Sequence, residues 1–558
     1  MKKALSIVLI SLLLTGCGQQ ADVENQPGKP DELRTQIKAE DISKLTETVG
    51  VVTTLDISDM FTDRDKETEY DTDSCEKIVL QGSSGESTAA SVKIEGSIVT
   101  ITKEGCYILS GNLLNGTVIV DVDKTEKVQL ILDGAHIVSD TCAAIYVRQA
   151  DKVFITTAAD SENSLTNTGE FVAIDDNNID GAIFSKEDLT LNGGGSLQIS
   201  SECGHGIVVK DDLVITGGNI GISAAGHGLS GKDSVRIGGG EIRITAGKDG
   251  INAGNEEEED KGFVYIAGGS LTMDVKDDGI HGETQVVIAD GNLQITNSYE
   301  GIEGKTIEIT GGTISVVAGD DGLNATDGSG DSFGFGMGRP GAEGVSGDSD
   351  IFILISGGKL TVKAGGDGGD SNGALYVTGG ETYISGPENS GNGALDYASE
   401  AYISGGTFVA LGASGMAMNF GSSSTQGSML VNSTKTQQNG SVVELKDSEG
   451  KVLVSFESMG RYSSVVVSCP EIKVGASYTL TMGDESMEIT MSELLYGSGM
   501  GGFGGDRGMG GFGGGRDKGD FGGGRDFPGG ERPQGEMPEG MPQMPRGEMP
   551  SGRPGMPQ

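Results

Sequence analysis

Tryptophan is absent from this 558-residue chain, aromatic residues make up 5% of it, and there are only four histidines, His136, His205, His227 and His281. The lack of tryptophan argues against binding of crystalline cellulose through a platform of exposed, stacking aromatic rings. The G-x-S-x-G match, Gly330–Gly334, falls in the glycine-rich insert and opens no helical pattern, so it does not support a Ser-His-Asp nucleophile elbow. Basic residues are also scarce, 39 against 82 acidic ones, for a formal net charge of −43. Such a chain does not seek nucleic acid phosphate or anionic lipid, and it attracts cations. Apart from Cys17, the cysteines are Cys75, Cys106, Cys142, Cys203 and Cys469, an odd and scattered set with no C-x-x-C. They support neither a disulfide framework nor a zinc site. At most one or two bridges can form, with Cys75–Cys106 the pair to test, and the rest are expected as buried thiols in the core. Helical spacing, EF-hand spacing and the nine-residue calcium repeat are all missing from the middle of the chain.

What fills the middle is a repeat. The phrase G-G-x-[LI]-x-[IVM]-x recurs as GGSLQIS, GGNIGIS, GGEIRIT, GGSLTMD, DGNLQIT and GGTISVV, with its second glycine at 195, 218, 240, 269, 291 and 312, steps of 23, 22, 29, 22 and 21. Between the copies runs x-[DHNE]-G-[ILA], with its glycine at 206, 228, 250, 279, 301 and 322, steps of 22, 22, 29, 22 and 21. Both registers absorb the long step at the acidic insert Asn255–Lys261, which is the signature of a solenoid. Apolar residues alternate with polar ones, as in Ile242-Arg243-Ile244 and Leu271-Thr272-Met273, so the repeats are strands. A coil of about 22 residues cannot bury its inner face alone and must stack on its neighbours, about 4.8 Å apart. The pattern predicts an all-β chain folded as a parallel β-helix, with regular coils over about 181–412.

The flanks read differently. Lys2, Lys3, the apolar run Ala4–Leu14 and Leu14-Thr15-Gly16-Cys17 make residues 1–17 a secretory signal too short to span a membrane. The last four of these residues resemble a bacterial lipobox, in which Cys17 becomes the lipid-bearing first residue. Residues 18–50 read as a polar tether. The β-helix is expected over 51–426, beginning with irregular coils, with a floppy insert at about 328–348. Residues 427–496 are expected to form a C-terminal β cap or small β module, and 497–558, rich in Gly, Met and Pro, a disordered tail.

Carboxylates gather in the second phrase. Before Gly-Ile or Gly-Leu stand Lys248-Asp249, Asp277-Asp278, Tyr299-Glu300 and Asp320-Asp321; just after come Asn252, His281, Glu303 and Asn324. Stacked coils bring equivalent carboxylates to about 4.8 Å, where two charges repel by roughly 1 kcal/mol in water and by several at lower dielectric. A divalent counter-ion is therefore expected, and hard oxygen donors on glycine-rich corners favour calcium. The expected ligands are Asp249, Asn252, Asp277, Asp278, Glu300, Asp320, Asp321 and Asn324.

Three stretches together, Val99–Gly111 with Val128–Gly134 and Ala143–Val147, the G-G-x-I and D-D-G-I repeat, and Ser463–Ser468, resemble the bacterial carbohydrate-binding lipoprotein family typified by a clostridial cellulose- and acidic-sugar-binding β-helix protein. The resemblance spans about 51–495. It implies a right-handed parallel β-helix shaped like a polysaccharide lyase, bound calcium, and binding of acidic or cellulosic polysaccharide without cleavage. His205 and His227 replace the acids of later coils, so a metal column should start near Asp249.

The expectation is a non-catalytic, calcium-dependent polysaccharide binder on the outer face of the cell membrane, held there by its lipid alone. The alternatives are a calcium-dependent lyase, for which Arg236 and Arg243 are the candidate bases although as strand residues they are expected to point into solvent, and a structural surface protein or adhesin.

Overall fold

A computed structural model describes residues 55–328 and 350–497. The expectations for the Cys17 leader, the tether, the insert at about 328–348 and the tail fall outside these residues, apart from their edges. The described chain is all-β but for one short helical turn, Asp63–Lys66.

A regular coil contributes three short strands, the second and third running on as one in Ile280–Ile288 and Ile302–Ile309, and each strand pairs in parallel with the strand one coil later. Ser196–Ser201 pairs with Asn219–Ala224, that with Glu241–Ala246, and that in turn with Ser270–Val275. The second strands follow the same rule through His205–Val209, Leu229–Gly231, Ile251–Ala253 and Ile280–Ile288. So do the third strands, through Asp212–Ile215, Ser234–Ile237 and Phe263–Ile266. The result is a solenoid-like, mostly parallel sheet. Its interior is filled by register stacks such as Ile222, Ile244, Met273 and Ile295, all buried. The alternation read from the sequence thus points Ile, Leu and Met inward, where stacked side chains exclude water from a continuous core.

The two glycine phrases have two different causes. From Gly218 onward the second glycine of the first phrase turns the chain at positive φ, +103° at Gly240, a conformation that other residues rarely adopt. The glycine of the second phrase lies against the next coil: a Cβ on Gly250 would stand 2.7 Å from the Gly279 carbonyl oxygen. Asn255–Lys261 and the segment 329–349 both enter between a second and a third strand, so insertions are confined to one corner.

Antiparallel pairing marks both ends. Near the start, Val92–Glu95 pairs with Ile98–Ile101, and a disulfide joins Cys75 to Cys106. At the far end the parallel run meets Tyr462–Ser468, which pairs antiparallel with Thr407–Gly412. A separate four-stranded antiparallel sheet follows, built from Val442–Asp447, Val452–Glu457, Ser477–Met482 and Glu485–Thr490. Cys142 and Cys469 are buried, as expected, but Cys203 is exposed, because it sits on the corner after Ser196–Ser201 and not in a strand.

Residues 55–67 lie across the third strands. Met60 and Phe61 pack on Tyr265 and Val287, and Asp65, 2% exposed, forms an ion pair with Lys152 at 2.9 Å. Burial alone would raise the Asp65 pKa, but hydrogen bonds from Thr190, Lys152 and Thr62 outweigh it and bring the pKa down to about 2. Among the described residues no helix is long and apolar enough to cross a membrane.

Candidate functional site

The residue before each glycine of the second phrase stands above its counterpart in the next coil. The backbone states this directly: Gly228, Gly250, Gly279, Gly301 and Gly322 donate their N–H groups to the carbonyls of Asp249, Asp278, Glu300, Asp321 and Asp367. The column therefore reads His227, Asp249, Asp278, Glu300, Asp321, Asp367 along one edge of the solenoid. Its side chains face along the column and cap the next coil. The Asp278 amide donates to Asp249 Oδ1 at 3.3 Å, the Glu300 amide to Asp278 Oδ1 at 3.3 Å, and the Asp367 amide to Asp321 Oδ1 at 2.6 Å. At the histidine end the same bond runs from the His227 amide to His205 Nδ1 at 2.9 Å, and the two rings stack 4.8 Å apart. A second column runs beside the first, Asn252, His281, Glu303, Asn324, Asp370, Asp396.

The electrostatics differ along the edge. At its first acidic rung Asp249 is saturated, with His227 Nδ1 2.9 Å from Oδ2 and the Asn252 amide donating to the same oxygen at 3.0 Å. Burial raises the Asp249 pKa, but the hydrogen bond and charge of His227 outweigh it and leave it lowered. One rung on, His281 Nδ1 meets Glu303 Oε2 at 3.0 Å. Burial would lower the His281 pKa, yet Glu303 and its neighbours raise it to about 9. Asp278 is raised by burial and by a proton shared with Glu303. Burial lowers His205 to about 4, helped by the charge of His227.

Farther along, positive charge runs out. Burial raises Glu300 to about 7 despite the Asn324 amide, which donates to it at 2.7 Å. Burial first, and neighbouring carboxylates second, raise Asp321 to about 6, Asp367 to about 7 and Asp370 to about 8.

Ligand-capable oxygens of Asp321, Asp367 and Asp370 lie within 4.8 Å of one another, as do those of Asp249, Asp277 and Asp278. Of the sequence-derived candidates the structure thus groups Asp249, Asp277 and Asp278 in one cluster and carries Asp321 into another. Glu300 stands between them. Asn252 and Asn324 turn their amide donors onto Asp249 and Glu300, and Asp320 lies outside the clusters, against the Tyr299 hydroxyl, whose pKa it raises to about 12. Asp367 and Asp370 were not legible because Gly369 replaces the apolar residue of the phrase; alignment of Ala364–Ser371 with Ala318–Ala325 would have found them. His281 and Glu303, visible in the phrase, join Asp278 in a mixed cluster. A further acidic group, Asp188 with Asp211 and Asp212, occupies another corner.

Among the described residues, only the Asp321–Asp367–Asp370 cluster of the columns offers oxygens without histidine nearby, and it fits a hard cation best. Arg236 is ion-paired with Asp212 and donates to the Met60 carbonyl, so it does not point freely into solvent; Arg243 pairs with Glu241 on the exposed face. Tyr376 and Tyr402 are register partners, 9% and 6% exposed, packed rather than presented as a platform.

Fold and edge together define a β-solenoid with a ladder of acids. Residues 95–334, less than half of the chain, match the model of the carbohydrate-binding domain-containing protein family. A carbohydrate-binding domain-containing protein of Acetivibrio thermocellus is 39% identical over 128 residues, 23% of this chain and 45% of the relative; the match thus spans less than half of that relative's length. A solved structure, the polysaccharide lyase-like protein from C. thermocellum in a gadolinium derivative, is 34% identical and covers 46% of this chain and 98% of its own, with a TM-score of 0.38.

Proposed function

We propose that this protein is a non-catalytic, calcium-dependent binder of acidic polysaccharide at the bacterial cell surface, anchored by a lipid on Cys17. It would be a right-handed parallel β-helix closed by its C-terminal β cap. The observation that carries the metal half is the edge holding Glu300, Asp321, Asp367 and Asp370, where carboxylates are raised by burial and by each other with no lysine or arginine paired to them among the described residues. A divalent ion at Asp321, Asp367 and Asp370 would replace the protons that otherwise relieve the repulsion. The match of residues 95–334 to a carbohydrate-binding family supports the glycan half.

The non-catalytic reading is supported by the two arginines best placed in sequence to act as a base, since both are held in ion pairs. A lyase needs a base free to take the proton beside a uronate.

The test is thermal unfolding of chelator-treated protein against added calcium, run beside incubation with polygalacturonate. A rise in melting temperature is expected by mass action, with no ultraviolet absorbance of an unsaturated product. An unmoved melting temperature at millimolar calcium removes the metal; a growing absorbance makes the protein a lyase.

A further inference from the structure

The outer face of the first-strand sheet borders the acidic edge and has an unusual surface for so acidic a chain. Its central column runs in register through Gln198, Gly221, Arg243, Thr272, Gln294 and Ser315. The column beside it runs through Ser196, Asn219, Glu241, Ser270, Asn292 and Thr313. Across these coils the two columns carry one cation and one anion, Arg243 and Glu241, paired to each other. The rest are hydroxyls, amides and one glycine, although the chain holds 82 acids against 39 bases. Gln198, Asn219, Asn292, Gln294, Thr313 and Ser315 are exposed. Their side chains make no hydrogen bond within the described residues, whereas the amides of Asn252 and Asn324 on the adjoining edge are each bonded to a carboxylate. Farther along, the face ends at a cleft of about 460 Å³ lined by Val317, Lys363, Glu388 and Arg461, where Arg461 is paired with Glu388 and Lys363 adds one cation to this side.

We infer that this face is the glycan track: an extended, uronate-containing polysaccharide lies along the solenoid axis on the column from Gln198 to Ser315. Its hydroxyls bond to the unpaired amides and hydroxyls, and its carboxylates turn toward the cation-holding edge. The inference rests on the reading given under Proposed function. Rungs about 4.8 Å apart present a hydroxyl or amide in every coil of the column but those of Gly221 and Arg243, a spacing close to the length of one sugar ring in an extended chain. Near-neutrality is what lets a polyanion approach, since like charge facing it would repel. Hydroxyl and amide groups can pair with sugar hydroxyls in either sense.

The experiment compares wild type with Thr272→Ala/Gln294→Ala/Ser315→Ala and with Thr272→Glu/Ser315→Glu, using the full chain in calcium. Retardation in gels containing polygalacturonate reports binding, and melting temperature with and without calcium reports fold and metal. The alanine variant should bind about tenfold more weakly and the glutamate variant should show no retardation, both with the wild-type calcium shift. Wild-type retardation in both variants overturns the track while leaving the proposed function standing. So does a change of sedimentation in place of lost retardation, which would make the face a contact between copies. If wild type itself is not retarded, the glycan reading falls and the track with it.

Discussion

The amide of Asp367 donates to the carboxylate of Asp321, its counterpart one coil earlier, at 2.6 Å. Asp367 in turn accepts from the Gly393 amide, so one oxygen of Asp321 and of Asp367 is spent on the backbone of the next coil, leaving the other for a proton or a cation. Asparagine keeps the first role and loses the second. Asp367→Asn should therefore stabilise the calcium-free protein, by up to about 1 kcal/mol, yet weaken the calcium-induced rise in melting temperature. Calcium titrations of both proteins by scanning calorimetry check the opposite signs; a variant destabilised without calcium would show that the carboxylate is structural.

Acidity should favour the calcium-free protein. Asp321, Asp367 and Asp370 titrate near 6, 7 and 8 when folded, against an ordinary value of 3.8. Groups raised by folding contribute their full stability below about pH 4 and lose it as pH climbs through the folded values. The melting temperature without calcium should fall between pH 4 and 8 relative to a variant with all three aspartates replaced by asparagine. Saturating calcium should flatten that difference, and thermal scans across the range measure it.

Asp65→Ala should be severe. It strands Lys152 in a site where the two side chains are 2% and 11% exposed, a loss of about 3 kcal/mol or more. Chemical denaturation read against a surface control such as Asp59→Ala gives the difference, and Asp65→Asn, whose one carbonyl oxygen can still accept from the Thr62 amide and hydroxyl, should recover part of it.

Gly279→Ala should disturb the stacking of coils. The new methyl would stand 2.5 Å from the Gly301 carbonyl oxygen, and neither backbone can retreat without opening the ladder beside it. A loss of about 1–3 kcal/mol is expected, visible as a lower denaturation midpoint; Gly254→Ala, where only the end of the Asn252 side chain lies near, should cost far less.

Reducing the Cys75–Cys106 bridge, 31 residues apart, should lower stability by roughly 3–4 kcal/mol. The effect should centre on the first coils, so hydrogen exchange should quicken at Glu76–Gly82 and leave Ser270–Val275 nearly unchanged.

Much of this architecture could be read in advance because it repeats. Ile242 and Ile244 announce an inward face by alternation, and Gly240 and Gly250 mark a turn and a close approach that recur each coil. The acidic edge was legible as far as Asp321 for the same reason. It was lost after 329–349, where the spacing breaks and Gly369 disguises the phrase, so the cluster best suited to a cation was only half seen. Nothing periodic marks Asp65, whose partners Thr190 and Asn192 lie 125 and 127 residues away.

Strand, turn and facing follow from residues a few positions apart, and the sequence alone determines them, since alternation and the absence of a Cβ act locally. Which carboxylates share a cation, which are neutralised by histidine, and where residues 55–67 lie were decided only by tertiary structure. Those outcomes depend on which coil lands on which, and charges interact through a few ångströms of space however far apart they stand along the chain.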